Sequence, residues 1–482
     1  MTDPNENTLW GRAIVEELVA SGIDAVCVAP GSRSTPLTVA VARHPEIRVY
    51  SHLDERSAAY FALGRARRTG TPTPLICTSG TAAANFHPAV IEANQSRVPM
   101  LLLTADRPRE LQDSGANQTV DQEKLYGDAV RKYRSLPEPA AEPRRLRSLR
   151  TTVCRSVTTA TGTPAGPVHL NVPMSKPLEP TPVEGAVPDD LGDRDPVADS
   201  GRDGPMVRTA RGTLAPDDET ATTVAETLAD SERGVIVAGP ANAPVPDRDS
   251  LADLVDATGF PVLADPLSGH RFGGHVADRP ICGGYDSYLD AEGWPEPDVV
   301  VRFGASPTSK TLRHWLRDSG ARQFVTDPAG EWREAEFRAT DLLVADPSAL
   351  ATAVAERLDG STTEWTDRFV DAERQYWELV EDARDEQFFE GSVAATVAEA
   401  VPDPATVFVS NSMPVRDLDR FAGPREADVT VLGNRGASGI DGITSTALGA
   451  GSGTDDPLVL VTGDLAYYHD MNGLLAVGRC DV

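Results

Sequence analysis

The chain has 482 residues, 45 of them Lys or Arg against 73 Asp or Glu, giving a formal charge of −28 at pH 7. That length suggests about three domains of roughly 150 residues each, and the acid excess argues against nucleic acid as a partner and suits solubility in a salty cytosol. No apolar run approaches the roughly 18 residues of a membrane span, no basic and apolar leader opens the sequence, and the five scattered cysteines show no spacing for zinc or a disulfide frame, so a soluble cytoplasmic protein is expected.

Leu9 to Ala20 has helical spacing, and Ala25 to Ala29 is a short apolar strand that runs into Pro30-Gly31-Ser32-Arg33-Ser34 before a helix from Leu37. A strand, a Gly/Ser turn and a helix start expose backbone N–H groups to an anion, and Arg33 adds a two-pronged donor for a carboxylate. A strand ending near His52 leads into Asp54-Glu55 and a helical run through Ala58, Phe61 and Ala62. Two readings of Glu55 stand at this point: an acid that favours the positive end of a helix dipole, or a carboxylate that moves a proton on a cofactor ring.

Pro74 to Thr78 and Met100 to Thr104 read as further strands, with a helix from Ala82 to Asn94 between them; Arg107 follows the second. An amide-rich loop holds Asn117 and Gln118, a helix spans Leu146 to Thr159, and Val168 to Val172 closes the unit. Strands that end in polar residues and lead into helices are the pattern of a parallel sheet with its ligand site at the strand C-terminal ends. Leu178 to about Ala215, rich in Pro, Gly and Asp and without periodicity, reads as a solvated linker.

A second α/β unit carries apolar runs at Gly234 to Ala238, Pro261 to Ala264, Val299 to Phe303, Phe324 to Thr326 and Leu342 to Val344. It lacks GxGxxG, so no dinucleotide site is indicated. Lys310 follows the third run. A lone lysine is usually a solvated charge, yet this chain has only three others, Lys124, Lys132 and Lys176, and an ammonium is a compact partner for a carboxylate. Glu364 to Gln387 reads as a charged amphipathic connector. A third unit has strands at Thr406 to Val409, Val429 to Leu432 and Leu458 to Val461, each ending in polar residues; the last leads to Gly463-Asp464, which is either a turn or a hard-oxygen ligand for Mg2+.

A Glu at a strand-to-helix junction in the first unit and a Gly-Asp in the last together resemble the thiamin-diphosphate enzymes. APGSRSTPL (29–37), HLDERSAAYFALG (52–64), TSGTAAAN (78–85), LTADRP (103–108), GANQT (115–119), NSMPVRDLD (411–419), NRGASGIDG (434–442) and GDLAYYHDMNGL (463–474) are similar to the 2-succinyl-5-enolpyruvyl-6-hydroxy-3-cyclohexene-1-carboxylate synthases of menaquinone biosynthesis. The likeness covers essentially the whole chain and is loosest in the middle unit, where DPLSG (265–269) and the Lys310 loop carry it.

The resemblance implies three doubly wound α/β parallel-sheet domains: a pyrimidine-binding domain (1–177), an acidic linker (178–215), a central domain (216–360), a connecting helix (361–390) and a diphosphate-binding domain (391–482). It implies thiamin diphosphate with Mg2+ or Mn2+, and decarboxylation of 2-oxoglutarate followed by addition to isochorismate. Glu55 would hydrogen-bond the aminopyrimidine ring as the catalytic acid. Ser32, Arg33, Arg107, Gln118, Lys310, Ser412, Arg416 and Arg435 match substrate contacts, Ile440 the apolar residue that holds the cofactor bent, and Asp464 the metal ligand. Thr311 stands where some members have Arg. The family's metal motif continues to an Asn beyond this sequence, so the last domain is expected to be incomplete. The cofactor would bridge subunits of a homodimer or homotetramer. A different thiamin-diphosphate decarboxylase or synthase and a non-catalytic remnant stay open as other classes.

Overall fold

The computed structural model describes residues 3–360 and 363–481; positions 361 and 482, which bound the expected connector and last domain, lie outside them. By packing, the chain divides into two compact units. The first comprises residues 1–210, 436–455 and 464–482, and the second 211–435 and 456–463.

The first unit is built on six strands: β1 (Ala25–Val28), β2 (Arg48–Ser51), β3 (Leu75–Cys77), β4 (Met100–Asp106), β5 (Lys132–Ser135) and β6 (Pro167–Pro173). They lie in the order β2-β1-β3-β4-β6-β5, all parallel. Alternation along β1 divides the core. Val26 and Val28 face the helices Glu6–Ala20 and Pro143–Ala160, while Ala25 and Cys27 face the helices Glu55–Thr69 and His87–Gln95. With both faces covered, β1, β3, β4 and β6 are buried throughout, which is why they read as predominantly apolar runs, with polar residues only at Thr104, Asp106, His169 and Asn171. β5, with the sequence KYRS at the sheet edge, carries no such run and is not foreseen from sequence.

Two expectations for this unit need correction. The helix foreseen over Ala82 to Asn94 is two pieces, Thr81–Ala84 and His87–Gln95, parted at Asn85 and Phe86. Pro88, which has no N–H to continue the ladder, sits in the opening turn of the second piece. The segment after Leu178 is only partly a solvated linker. Leu178, Leu191, Ala198 and Met206 are buried, and the fully buried Arg150 guanidinium donates to the carbonyls of Ala198 and Asp199. The stretch 207–215 is exposed and without regular structure. Anchors spaced every several residues have neither a helical nor a strand period, so the packing left no sequence signal.

The second unit holds two sheets. β7 (Gly234–Ala238), β8 (Val262–Ala264), β9 (Ile281–Cys282), β10 (Val299–Phe303), β11 (Arg322–Thr326) and β12 (Asp341–Leu343) lie parallel in the order β12-β11-β10-β7-β8-β9. The helix Glu364–Glu386 lays Trp365 and Phe369 into one face of this sheet's core. The third sheet has three parallel strands, β13 (Ala405–Val409), β14 (Val429–Leu432) and β15 (Leu458–Val461), ordered β14-β13-β15. A fully buried guanidinium ties the two sheets' loops together. Arg271 donates to the Ala264 and Asp419 carbonyls and, at 2.9 Å, to the Asp419 carboxylate, which also accepts from the Tyr285 hydroxyl at 2.8 Å. No helix among the described residues is long and apolar enough to cross a membrane.

Candidate active site

In the first unit the functional candidates gather at the C-terminal ends of β1, β3 and β4. The turn after β1 carries Ser32 and Arg33 in a short 3-10 segment. Gly31 comes so close to the end of β3 that a Cβ there would lie 2.5 Å from the Thr78 side chain. Arg33 is buried; it donates through Nη1 to the Met174 carbonyl, while its Nε has no partner. Burial lowers the pKa of the Arg33 guanidinium, and the neighbouring positive charge of Arg107 lowers it further, against a smaller opposing effect of Asp106. Arg107 leaves the end of β4 and donates to the Asn117 carbonyl at 2.8 Å. Gln118 donates to the Ser79 carbonyl and accepts, through its own carbonyl, from the Ser79 hydroxyl. Gln118 does so at φ 55°, a left-handed conformation that costs a non-glycine residue free energy.

Beneath this rim lies a buried polar lattice that sequence reading missed. Asn171 donates to Asp106 at 2.7 Å and accepts from Thr104 and from Gln122, each at 2.9 Å; Gln122 in turn accepts from the Gly80 N–H. The Asp106 carboxylate also accepts from the Arg107 N–H. Burial raises the Asp106 pKa, with these hydrogen bonds opposing it. The lattice holds the Arg107 N–H and, at Gly80, the turn whose Ser79 pairs with Gln118. Its members are polar residues inside or next to apolar strands, a weak signal that sequence periodicity does not rank.

Glu55 is the first residue of the helix Glu55–Thr69, which is capped by Asp54 through the N–H groups of Arg56 and Ser57. It is half-buried, lies close enough to Cys77 to help raise that thiol's pKa, and accepts no hydrogen bond from any described residue. Five residues on, Tyr60 donates to the Asp441 carboxylate. A Cβ at Gly442, which has φ 70°, would lie 2.0 Å from the Tyr60 ring. Ile440, 38% exposed, thus sits on a loop fastened to the helix that begins with Glu55. The helix Ile443–Gly451 then packs backbone to backbone on that same helix. A Cβ on Gly64 would fall 1.9 Å from the Thr446 carbonyl oxygen, and one on Gly449 1.9 Å from that of Phe61. Asp464 opens the short helix Asp464–His469, exposed. Among the described residues no group of three or more His, Cys, Asp or Glu is arranged to hold a metal.

In the second unit the loops after β13 and β14 bring three candidates together. Ser412 starts the helix Met413–Phe421 at φ 71°, ψ −125°, and Arg416 lies exposed one turn along it. Arg435 donates to the side chain of Asn411, the residue before Ser412, at 3.0 Å. Lys310 is exposed at the start of the helix Lys310–Asp318. The preceding Ser309 donates to Asp286, a carboxylate that also holds Arg420, one turn beyond Arg416.

A sequence profile for the thiamine pyrophosphate enzyme N-terminal TPP-binding domain matches residues 10–125, and one for the middle domain of thiamine pyrophosphate enzymes matches 215–409. The chain is 65% identical to the 2-succinyl-5-enolpyruvyl-6-hydroxy-3-cyclohexene-1-carboxylate synthase of Haloarcula marismortui, over all of this chain and 83% of that protein. It belongs to that synthase family. Synthases of the same name from Natronomonas pharaonis (62% identical, all of this chain and 83% of that protein) and Roseiflexus castenholzii (46% identical, 99% and 83%) match it as well. As a member of the synthase family, the chain is a thiamin-diphosphate-dependent transferase with a catalytic role in menaquinone biosynthesis.

Proposed function

We propose that the chain decarboxylates 2-oxoglutarate on thiamin diphosphate and joins the four-carbon remainder to isochorismate, releasing CO2 and giving 2-succinyl-5-enolpyruvyl-6-hydroxy-3-cyclohexene-1-carboxylate. The observation that carries this reading is the pairing of Arg33 and Arg107. A buried guanidinium, Arg33, whose protonation is disfavoured by burial and by the neighbouring charge of Arg107, calls for an anionic ligand, and the adjacent Asp106 is already committed to Asn171 and the Arg107 N–H. Both substrates are dicarboxylates, so a site for them needs several cations in an acidic protein. The same argument extends to Lys310, Arg416 and Arg435, with Ser32, Gln118 and Ser412 as neutral donors.

The residues present fit the cofactor. Glu55 offers a half-buried carboxylate free of protein hydrogen bonds, and Ile440 is an exposed apolar side chain on a loop held by the same helix. When bound, thiamin diphosphate supplies the nucleophilic carbon and the electron sink that a 2-oxo acid needs to lose CO2. Glu55 would hold and return the proton at the aminopyrimidine ring nitrogen. Ile440 would meet the cofactor with an apolar side chain. Asp464 would give one carboxylate to Mg2+ or Mn2+, an ion that usually takes its remaining ligands from phosphate and water. The arginines orient each substrate through paired hydrogen bonds to carboxylate. The working form is a cytoplasmic homodimer or homotetramer.

The test is CO2 release from 2-oxoglutarate and from pyruvate, with and without isochorismate, and product identification by mass spectrometry. Dependence on both dicarboxylates is expected. Turnover of pyruvate at an equal or higher rate would overturn the substrate assignment.

A further inference from the structure

The strongest unassigned feature of the first unit is a carboxylate. Glu92, on the helix His87–Gln95, is 2% exposed, and its two oxygens are divided among five donors. One oxygen accepts from the Gly436 N–H at 2.8 Å, the Ser96 hydroxyl and the Arg67 guanidinium at 3.3 Å. The other accepts from the N–H groups of Ala437 at 2.6 Å and Ser438 at 3.3 Å. Three successive N–H groups turned to one side, with Ser438 at φ 60°, form a concavity suited to an anion, and here the protein fills it with its own side chain.

We infer that Glu92 is a positioning residue for the cofactor loop. This inference rests on the reading of Ile440 given above. Residues 436–442 are held at two places: by Glu92 at their start, and by Tyr60, through Asp441, near their end. Between these holds the Ile440 side chain is left free to meet a ligand. A loop fixed in this way does not have to be ordered when cofactor binds, so the ordering cost is met during folding. Glu92 is suited to the role because it is charged, buried and doubly acceptor. A neutral amide of the same shape has one accepting oxygen and would set its NH2 against either Gly436 or the Ala437–Ser438 pair.

The experiment is hydrogen exchange by mass spectrometry on the cofactor-free protein, comparing the parent with Glu92→Gln. Amides 436–438 are expected to exchange on the order of 10- to 100-fold faster in the variant, because a hydrogen bond to a charged acceptor is worth one to two factors of ten. The buried strand β4 should keep parent rates. The thiamin diphosphate dissociation constant should rise by a similar factor, with kcat at saturating cofactor close to the parent value, and Glu92→Asp should restore part of the affinity. Unchanged exchange at 436–438 would overturn the inference, as would faster exchange with an unchanged dissociation constant. Should Glu92→Gln fail to fold, Gly436→Ala provides the second variant. Its Cβ would lie 2.5 Å from the Ser96 hydroxyl and 2.7 Å from the Glu92 carbonyl oxygen, so it should displace the loop and give the same two changes. Because the exchange rates involve no substrate, they stand apart from the CO2 assay. A parent inactive on 2-oxoglutarate would sink the proposed function, whereas an active parent with an indifferent Glu92→Gln would sink only this inference.

Discussion

Gly64→Ala tests whether the helix that begins with Glu55 and the helix that follows Ile440 work as one body. A Cβ at position 64 would lie 1.9 Å from the Thr446 carbonyl oxygen, 2.7 Å from its carbon and 2.9 Å from the Ala450 nitrogen. All three obstacles are backbone, so no rotamer change relieves them. To restore ordinary contact the two helices must part by about 1.5 Å, which places the substitution toward the upper end of the roughly 1–3 kcal/mol that overpacking costs. Alanine returns about 1 kcal/mol through its better helix propensity, leaving a net loss of about 2 kcal/mol. For a unit of this size that is a fall of about 4–8 °C in the melting temperature. Differential scanning calorimetry measures it, and titration with thiamin diphosphate should show weaker binding as the loop at Ile440 moves away from its helix. Gly478→Ala is the control. It lies in the helix Leu475–Cys480 with no atom within 4 Å of the added carbon, so it should hold or gain stability. If Gly64→Ala melts with the parent, the close approach does not hold these helices together and the reasoning fails.

Glu55→Gln should keep the circular dichroism spectrum and lose turnover by at least about 100-fold, the lower range for a positioned general acid or base; parent-like turnover would remove Glu55 from the chemistry. Arg107→Met should raise the KM for a carboxylate substrate by about 30- to 100-fold, the equivalent of one charge-assisted hydrogen bond, and steady-state kinetics with each substrate in turn will show which one Arg107 holds. Ser412→Gly should gain about 1 kcal/mol by relieving a strained backbone while lowering activity, read by denaturant unfolding and by rate; a loss of stability would show that the hydroxyl outweighs the strain. Burial holds His52 at a pKa of about 4 and His169 at about 3, both below their unfolded value of 6.5. The native state therefore binds fewer protons than the unfolded chain over this range. The stabilisation is complete above pH 6.5 and is lost as pH falls toward 4, by about 2 kcal/mol per histidine between pH 6.5 and 5. Urea unfolding at pH 7 and pH 5 measures it, and equal midpoints would contradict it.

Gly234 to Ala238, Val299 to Phe303, Val429 to Leu432 and Leu458 to Val461 were bounded to the residue, because a strand of a parallel sheet is mostly apolar and gives way to polar turn residues at its end. Lys132–Ser135, polar and at a sheet edge, and Ile281–Cys282, apolar but only two residues long, left no such mark. The helix starting at Glu55 was legible from its acidic opening, Arg33, Arg107, Arg416 and Arg435 from their places at or just after strand ends, and the other candidate residues only through the family resemblance. Sequence alone thus determined the layered α/β architecture, the acidic surface, and which carboxylates and guanidiniums stand where strands give way to loops. Only the tertiary structure decided what holds those groups: Glu92 grasping three amides far along the chain, Tyr60 fastening Asp441, and glycines that bring two helices into backbone contact. Periodicity records which face of an element is buried, but the identity of its partner depends on contacts between residues hundreds of positions apart, and those leave no period in the chain.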